Sequence, residues 1–186
     1  GATVSVPNDI VLTLEREEAN VRIYRTASGI PVLVRRRAGA PITHVGIIGA
    51  GTMGRGIAMA CANAGLSVML DDSTQDALDA GLAAMRKNYD TSVASGRFTR
   101  QQVDDRMGRV IPSLGGHGFE NADLIIEAVF EDMRLKKDVF ARLDRIAKPG
   151  AILATNTSTL DIDDIASATS RKGRVAGLHF FSPANI

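Results

Sequence analysis

A single cysteine, Cys61, is all the thiol this chain has, so no disulfide can form within it and a reducing compartment is the expected setting. Cys61 falls in a run of small helix-forming residues, where it reads as a small buried side chain rather than a reactive thiol. Only three histidines accompany it, scattered along the chain, so no metal-ligand spacing appears and no metal is expected. No apolar run approaches the roughly 20 residues that span a bilayer, and no signal-peptide pattern opens the chain. Charge of one sign is not in excess either: 22 basic residues face 21 acidic ones, a net charge of +1, which gives no footprint for nucleic acid. There is no initiator Met ahead of Gly1, and the chain is therefore expected to be a piece of a longer protein. What is present is apolar material, 45% of 186 residues, enough for one full core plus an extension.

The extension is expected at the front. Residues 1–42 mix Ile10, Leu12, Leu14, Val21 and Ile23 with Glu15, Arg16, Glu17 and Glu18, and show neither a helical nor a strand period. Breakers at Ser28-Gly29-Ile30-Pro31 and Ala38-Gly39-Ala40-Pro41 flank Arg35-Arg36-Arg37, a triplet read as a solvated linker face. The segment is expected to be a connector from an upstream domain.

From residue 43 to 186, strands and helices alternate. Val45–Ile48, Ser67–Leu70, Val110–Ile111, Asp123–Val129, Ala151–Thr155 and Arg174–Phe180 read as strands. Between them, Thr52–Ala64, Thr74–Ala94, Arg100–Met107, Arg134–Ala147 and Leu160–Ala168 read as helices, the last opened by Ser158 or Thr159 as cap. This order predicts an α/β fold of the Rossmann type, doubly wound, with a mainly parallel sheet covered on both faces by helices.

Gly49-Ala50-Gly51-Thr52-Met53-Gly54 joins the first of these strands to its helix, and Asp71-Asp72 closes the next strand about 20 residues on. A G-x-G-x-x-G string alone is weak, but this context gives each part a task. Gly49 permits the tight turn, Gly51 lets a pyrophosphate approach the backbone, and Gly54 lets the helix pack closely. The helix N-terminus, from Thr52, offers unpaired N–H groups to phosphate. A carboxylate at the end of the second strand accepts from ribose hydroxyls and repels a 2′-phosphate, which favours NAD over NADP. Alternation sends Asp71 and Asp72 to opposite sides of the strand, so only one can serve, and spacing does not choose between them. The competing reading is a helix-opening turn with no ligand.

Three more stretches sharpen the pattern: Asp123-Leu124-Ile125-Ile126-Glu127-Ala128-Val129-Phe130-Glu131, Asn156-Thr157-Ser158-Thr159-Leu160, and Gly177-Leu178-His179-Phe180-Phe181-Ser182-Pro183. With the glycine turn, they make residues 43–186 resemble the NAD-binding domain of the 3-hydroxyacyl-CoA dehydrogenase family, most closely the dehydrogenase half of the multifunctional enzymes of fatty-acid β-oxidation. Glu15-Arg16-Glu17-Glu18-Ala19-Asn20 is similar to the connector that joins the enoyl-CoA hydratase half to the dehydrogenase half in those enzymes.

The resemblance implies that Asp72 binds the ribose, that Met53 contributes a backbone contact, and that Val129 and Glu131 line the nicotinamide side. It further implies that Lys136 contacts the cofactor, that Ser158 lies near the nicotinamide and the reacting oxygen, and that His179 is the catalytic base. Read from the residues alone, His179 at the carboxyl end of a strand is compatible with that role but equally with a packed histidine. Glu127, inside an apolar strand, is expected to accept hydrogen bonds, and Lys136 could equally be an ordinary helix-surface lysine. Ser182 stands where the family often has Asn, which puts that contact in doubt. His44 and His117 receive no role.

The function implied is NAD-dependent oxidation of a (3S)-3-hydroxyacyl-CoA to the 3-oxoacyl-CoA. The partners are an acyl-CoA substrate, a hydratase-like upstream domain and a helical downstream domain of the same protein. The setting is cytoplasmic, or peroxisomal if the source is eukaryotic. The family's Glu that orients the catalytic His would lie beyond Ile186, so the 186 residues alone are expected to hold NAD weakly and to turn over little. A nucleotide-binding module without chemistry, or a dehydrogenase of another 3-hydroxy acid, are the alternatives.

Overall fold

The structure is a computed structural model. It describes residues 41–180 in full and, before them, the backbone of four strands, and it divides into two compact units, Gly1–Pro41 and Ile42–Ile186.

In the first unit, β1 (Thr3–Val6), β2 (Ile10–Glu18), β3 (Val21–Thr26) and β4 (Pro31–Arg35) form an antiparallel sheet in sequence order. The lack of any regular period expected over residues 1–42 does not hold. Ile10, Leu12 and Leu14 alternate as a strand should, but the β2–β3 register shifts between Leu14 and Arg16, and such an irregularity resets the alternation. Arg36 and Arg37 lie outside the described residues.

The second unit is built on a six-stranded parallel sheet of β5 (His44–Ile48), β6 (Ser67–Asp72), β7 (Val110–Leu114), β8 (Leu124–Glu127), β9 (Ile152–Thr155) and β10 (Val175–Gly177). Their spatial order is β10-β9-β8-β5-β6-β7. The chain thus starts in the middle, winds one way through β6 and β7, and returns to wind the other way from β8. The order reverses between β5 and β8, the place where open α/β sheets leave a crevice for ligands. The helices are α1 (Thr52–Asn63), α2 (Gln75–Ala94), α3 (Arg100–Met107), α4 (Met133–Ile146) and α5 (Ile162–Ala166).

Alternation along the strands feeds two cores. Val45, Ile47, Val68, Leu70, Ile126 and Ala154 pack against α1, α2 and α3 through Ile57, Met85, Tyr89 and Val103. Ile48, Met69, Ile125 and Leu153 face the other way, against Phe119, Phe140, Leu143 and Ile165. Each fully buried Leu, Ile or Phe contributes ~1.5–3 kcal/mol.

Among the boundaries that differ from the sequence reading, two bear on the site. The last helix starts at Ile162 with Asp161 as its cap, not Ser158 or Thr159: Asp161 Oδ1 accepts from the Asp163 and Asp164 N–H groups, while the N–H of Leu160 turns back to Thr157 Oγ1 (3.0 Å). The last strand ends at Gly177, not Phe180. Its partner β9 stops at Thr155, and beyond it the N–H of Phe180 finds the side-chain oxygen of Asn156 instead of a ladder carbonyl (3.2 Å).

Candidate dinucleotide-binding site

Every candidate residue that the structure describes lies at or just beyond the carboxyl-terminal edge of the parallel sheet, or, for Lys136, in the first turn of the helix that follows it. The glycine turn links β5 to α1. Gly49 has φ +101°, a left-handed conformation, and a Cβ there would come 2.6 Å from the carbonyl oxygen of Ala128. Its N–H donates to the carbonyl of Asp71 (2.8 Å). A Cβ on Gly54 would lie 1.6 Å from the Gly49 oxygen, so the close packing at that position is between the helix and its own entry turn. Above Gly51, by contrast, a Cβ would meet nothing within 4 Å. The space a pyrophosphate would need is open.

The end of α1 fits an anion in a second way. Among the described α-helices, α2 is capped by Thr74, α3 by Thr99, α4 by Asp132 and α5 by Asp161, while α1 has neither a side-chain cap nor an acidic residue in its first turn. Its first N–H groups therefore face outward with no internal competitor for a phosphate.

The two consecutive aspartates divide as alternation requires. Asp71 points into the protein, where its carboxylate accepts from Gly116 N–H (2.9 Å) and Ser113 Oγ (3.4 Å) and meets Arg142 Nη2 (3.4 Å). Burial pushes its proton affinity up, opposed by Gly116 and Arg142. Asp72 points to the glycine turn, with Oδ2 accepting from Ala50 N–H (2.7 Å) and Oδ1 from Ser73 N–H (2.6 Å).

On the other side of the crevice, Glu131 Oε1 gathers four donors: Thr157 Oγ1 (2.5 Å), Ser158 N–H (3.0 Å), Thr159 N–H (3.2 Å) and Thr159 Oγ1 (3.3 Å). Burial pushes this carboxyl up, but those donors and the Lys136 ammonium outweigh it and bring it down to about 2. Ser158 is exposed at the loop's crest. His179, two residues past β10, is exposed between anchored neighbours: Leu178 N–H donates to Thr155 O (3.0 Å), and Phe180 is held by Asn156.

Lys136 is not a surface lysine. Its side chain is fully enclosed, with Nζ 2.7 Å from Glu127 Oε1. Glu127, expected to accept hydrogen bonds, does so from Val129 N–H and Thr155 Oγ1 as well (2.7 Å each). Sequence reasoning missed Asn156, which ties down the segment carrying His179, although Asn156 stands within a motif already singled out. It also missed Gly81 of α2, where a Cβ would come 2.7 Å from Ala50. Ser182 lies outside the described residues. Cys61 is half-buried and burial pushes its thiol up, away from reactivity. Among the described residues no cluster of His, Cys, Asp or Glu could hold a metal ion, and no helix is long and apolar enough to cross a membrane.

A doubly wound sheet with an open glycine turn and a carboxylate beside it defines a dinucleotide-binding domain. Residues 44–186 match the family model described as 3-hydroxyacyl-CoA dehydrogenase, NAD binding domain, and the chain belongs to that family. It is 43% identical over 154 residues to the human peroxisomal bifunctional enzyme, covering 78% of this chain and 20% of that protein. It is 44% identical over 137 residues to 3-hydroxybutyryl-CoA dehydrogenase of Clostridioides difficile, covering 74% and 49%. Among solved structures, 3-hydroxybutyryl-CoA dehydrogenase of Escherichia coli superposes with a TM-score of 0.76 at 37% identity, over 79% of this chain and 31% of that one. The chain thus spans from a fifth to a half of the length of these relatives.

Proposed function

We propose that this chain is the cofactor-binding part of an enzyme that oxidises a 3-hydroxyacyl-CoA to the 3-oxoacyl-CoA, with NAD as hydride acceptor. The observation that carries the reading is the pairing of the open, uncapped glycine turn with Asp72, which supports a pyrophosphate on Gly51, Thr52, Met53 and Gly54 and a ribose on Asp72. Asp72 keeps lone pairs for ribose hydroxyls and would repel a 2′-phosphate. Val129, Glu131 and the Ser158 loop stand on the nicotinamide side. NAD supplies the two-electron acceptor.

The remaining chemistry belongs to side chains. The substrate's hydroxyl must lose a proton as C3 loses hydride, and the His179 imidazole takes that proton at a ring nitrogen. The Ser158 hydroxyl donates to the reacting oxygen and holds it in place. A further helical segment of the protein is proposed to complete the acyl-CoA site, with a hydratase-like domain of the same protein upstream.

Titration calorimetry tests the reading. NAD should bind this chain and NADP should bind it more weakly, and Asp72→Asn should narrow the difference. NADP binding tighter than NAD would overturn it. In an acetoacetyl-CoA reduction assay the 186 residues alone should turn over little. Robust activity would refute the role given to the further helical segment.

A further inference from the structure

Glu127 ends β8 and Lys136 lies in the first turn of α4, and both side chains are fully enclosed. A buried carboxylate or ammonium survives only when its partners are complete. Here they are. Glu127 Oε1 accepts from Lys136 Nζ and from Val129 N–H, and Oε2 accepts from Thr155 Oγ1, each at 2.7 Å. The Lys136 ammonium donates to Glu127 Oε1 at 2.7 Å and to the Val129 carbonyl at 3.4 Å, and Glu131 Oε2 stands 3.4 Å away as a second ion-pair partner. Val129 is clamped at both its N–H and its C=O, and Glu131 passes the anchorage on to Thr157, Ser158 and Thr159.

We propose that Glu127 and Lys136 are positioning residues: a buried ion pair that sets the β8–α4 loop through Val129 and, through Glu131, the Ser158 loop. The proposal rests on the reading of Val129, Glu131 and Ser158 as nicotinamide-side residues. It assigns the pair a task that an apolar pair could not perform. Leucine and methionine would fill the volume but could hold neither the Val129 peptide nor the Glu131 carboxylate.

Two measurements decide it. In nitrogen-15 spectra of the wild-type chain, one lysine ammonium should exchange slowly with water and show contacts to Val129. Only fast-exchanging ammonium signals would overturn the proposal without any variant. The double variant Glu127→Leu/Lys136→Met keeps the interior apolar and should fold. Its amides at Val129, Ser158 and Thr159 should exchange about tenfold faster or more, and NAD should bind about tenfold more weakly, while the Val68 and Leu70 amides keep their protection. Unchanged exchange at those three amides would refute the positioning role. Absence of NAD binding to the wild type would sink the cofactor reading instead, and the exchange data would still judge the pair.

Discussion

Replacing Glu131 by Gln removes a charge but keeps an oxygen for Thr157, Ser158 and Thr159, so it isolates what ionisation contributes. The carboxyl falls from an ordinary 4.5 to about 2 in the folded protein. At about 1.4 kcal/mol for each tenfold change in proton affinity, that lowering would be worth about 3 kcal/mol for an enclosed group. The side chain is 36% exposed, so solvent screening reduces the expected contribution to ~1–2 kcal/mol. The sign follows from linkage: a carboxyl whose folded value is depressed gives stability that is complete above its unfolded value. That stability is lost as pH falls from about 4.5 through about 2. Urea unfolding of wild type and Glu131→Gln should therefore show a gap of ~1–2 kcal/mol near neutral pH that narrows below about pH 5 and closes as pH falls through about 2. A gap that stays constant over that range would refute the account of Glu131 as an ionised acceptor for the Ser158 loop.

Gly54→Ala puts a Cβ where only 1.6 Å separates it from the Gly49 oxygen, so the glycine turn must shift. A loss of ~1–3 kcal/mol in urea unfolding and of NAD binding in calorimetry is expected. Asp123→Asn removes the ion pair with Lys148 (2.5 Å), which with Thr43 and His44 holds this carboxyl far below the usual range. It should cost ~1 kcal/mol by thermal unfolding and leave NAD affinity unchanged, since it lies at the opposite end of the sheet. Asp71→Asn should behave in the opposite sense to Glu131→Gln. Burial raises Asp71 in the folded state, so the variant should gain stability relative to wild type as pH rises above about 4, which a pH series of melting curves would check.

The strands of the second unit and the glycine turn were legible because their signals are local. Leu124-Ile125-Ile126 is an apolar run buried on both faces, and Gly49 stands where a left-handed turn follows a strand. Alternation also divided Asp71 from Asp72 correctly, but which of them faced the turn depended on loops that the strand itself does not encode: Gly116 claims one and Ala50 the other. Lys136 was the hardest to read. A lysine among Arg134, Leu135 and Lys137 looks solvated, and only the buried Glu127, nine residues earlier on another element, makes its enclosure possible. The start of α5 was misplaced because three nearby residues offer a capping oxygen, and it is Asp161 that accepts from the helix amides while Ser158 and Thr159 are drawn into the loop held by Glu131. In the first unit, an irregularity after Leu14 hid a true alternation.

Asp123 sits at the amino end of β8, where it gathers Thr43, His44 and Lys148 and so ties the start of β5 to the turn before β9. The cofactor crevice opens at the other end of the same strands. A β5 strand of five residues puts roughly 15 Å between these two tasks. The domain therefore has one rim whose contacts serve stability alone and another that also sets what it binds. An engineer could harden the first by substitution around Asp123 and Lys148 while leaving the second free to change its ligand.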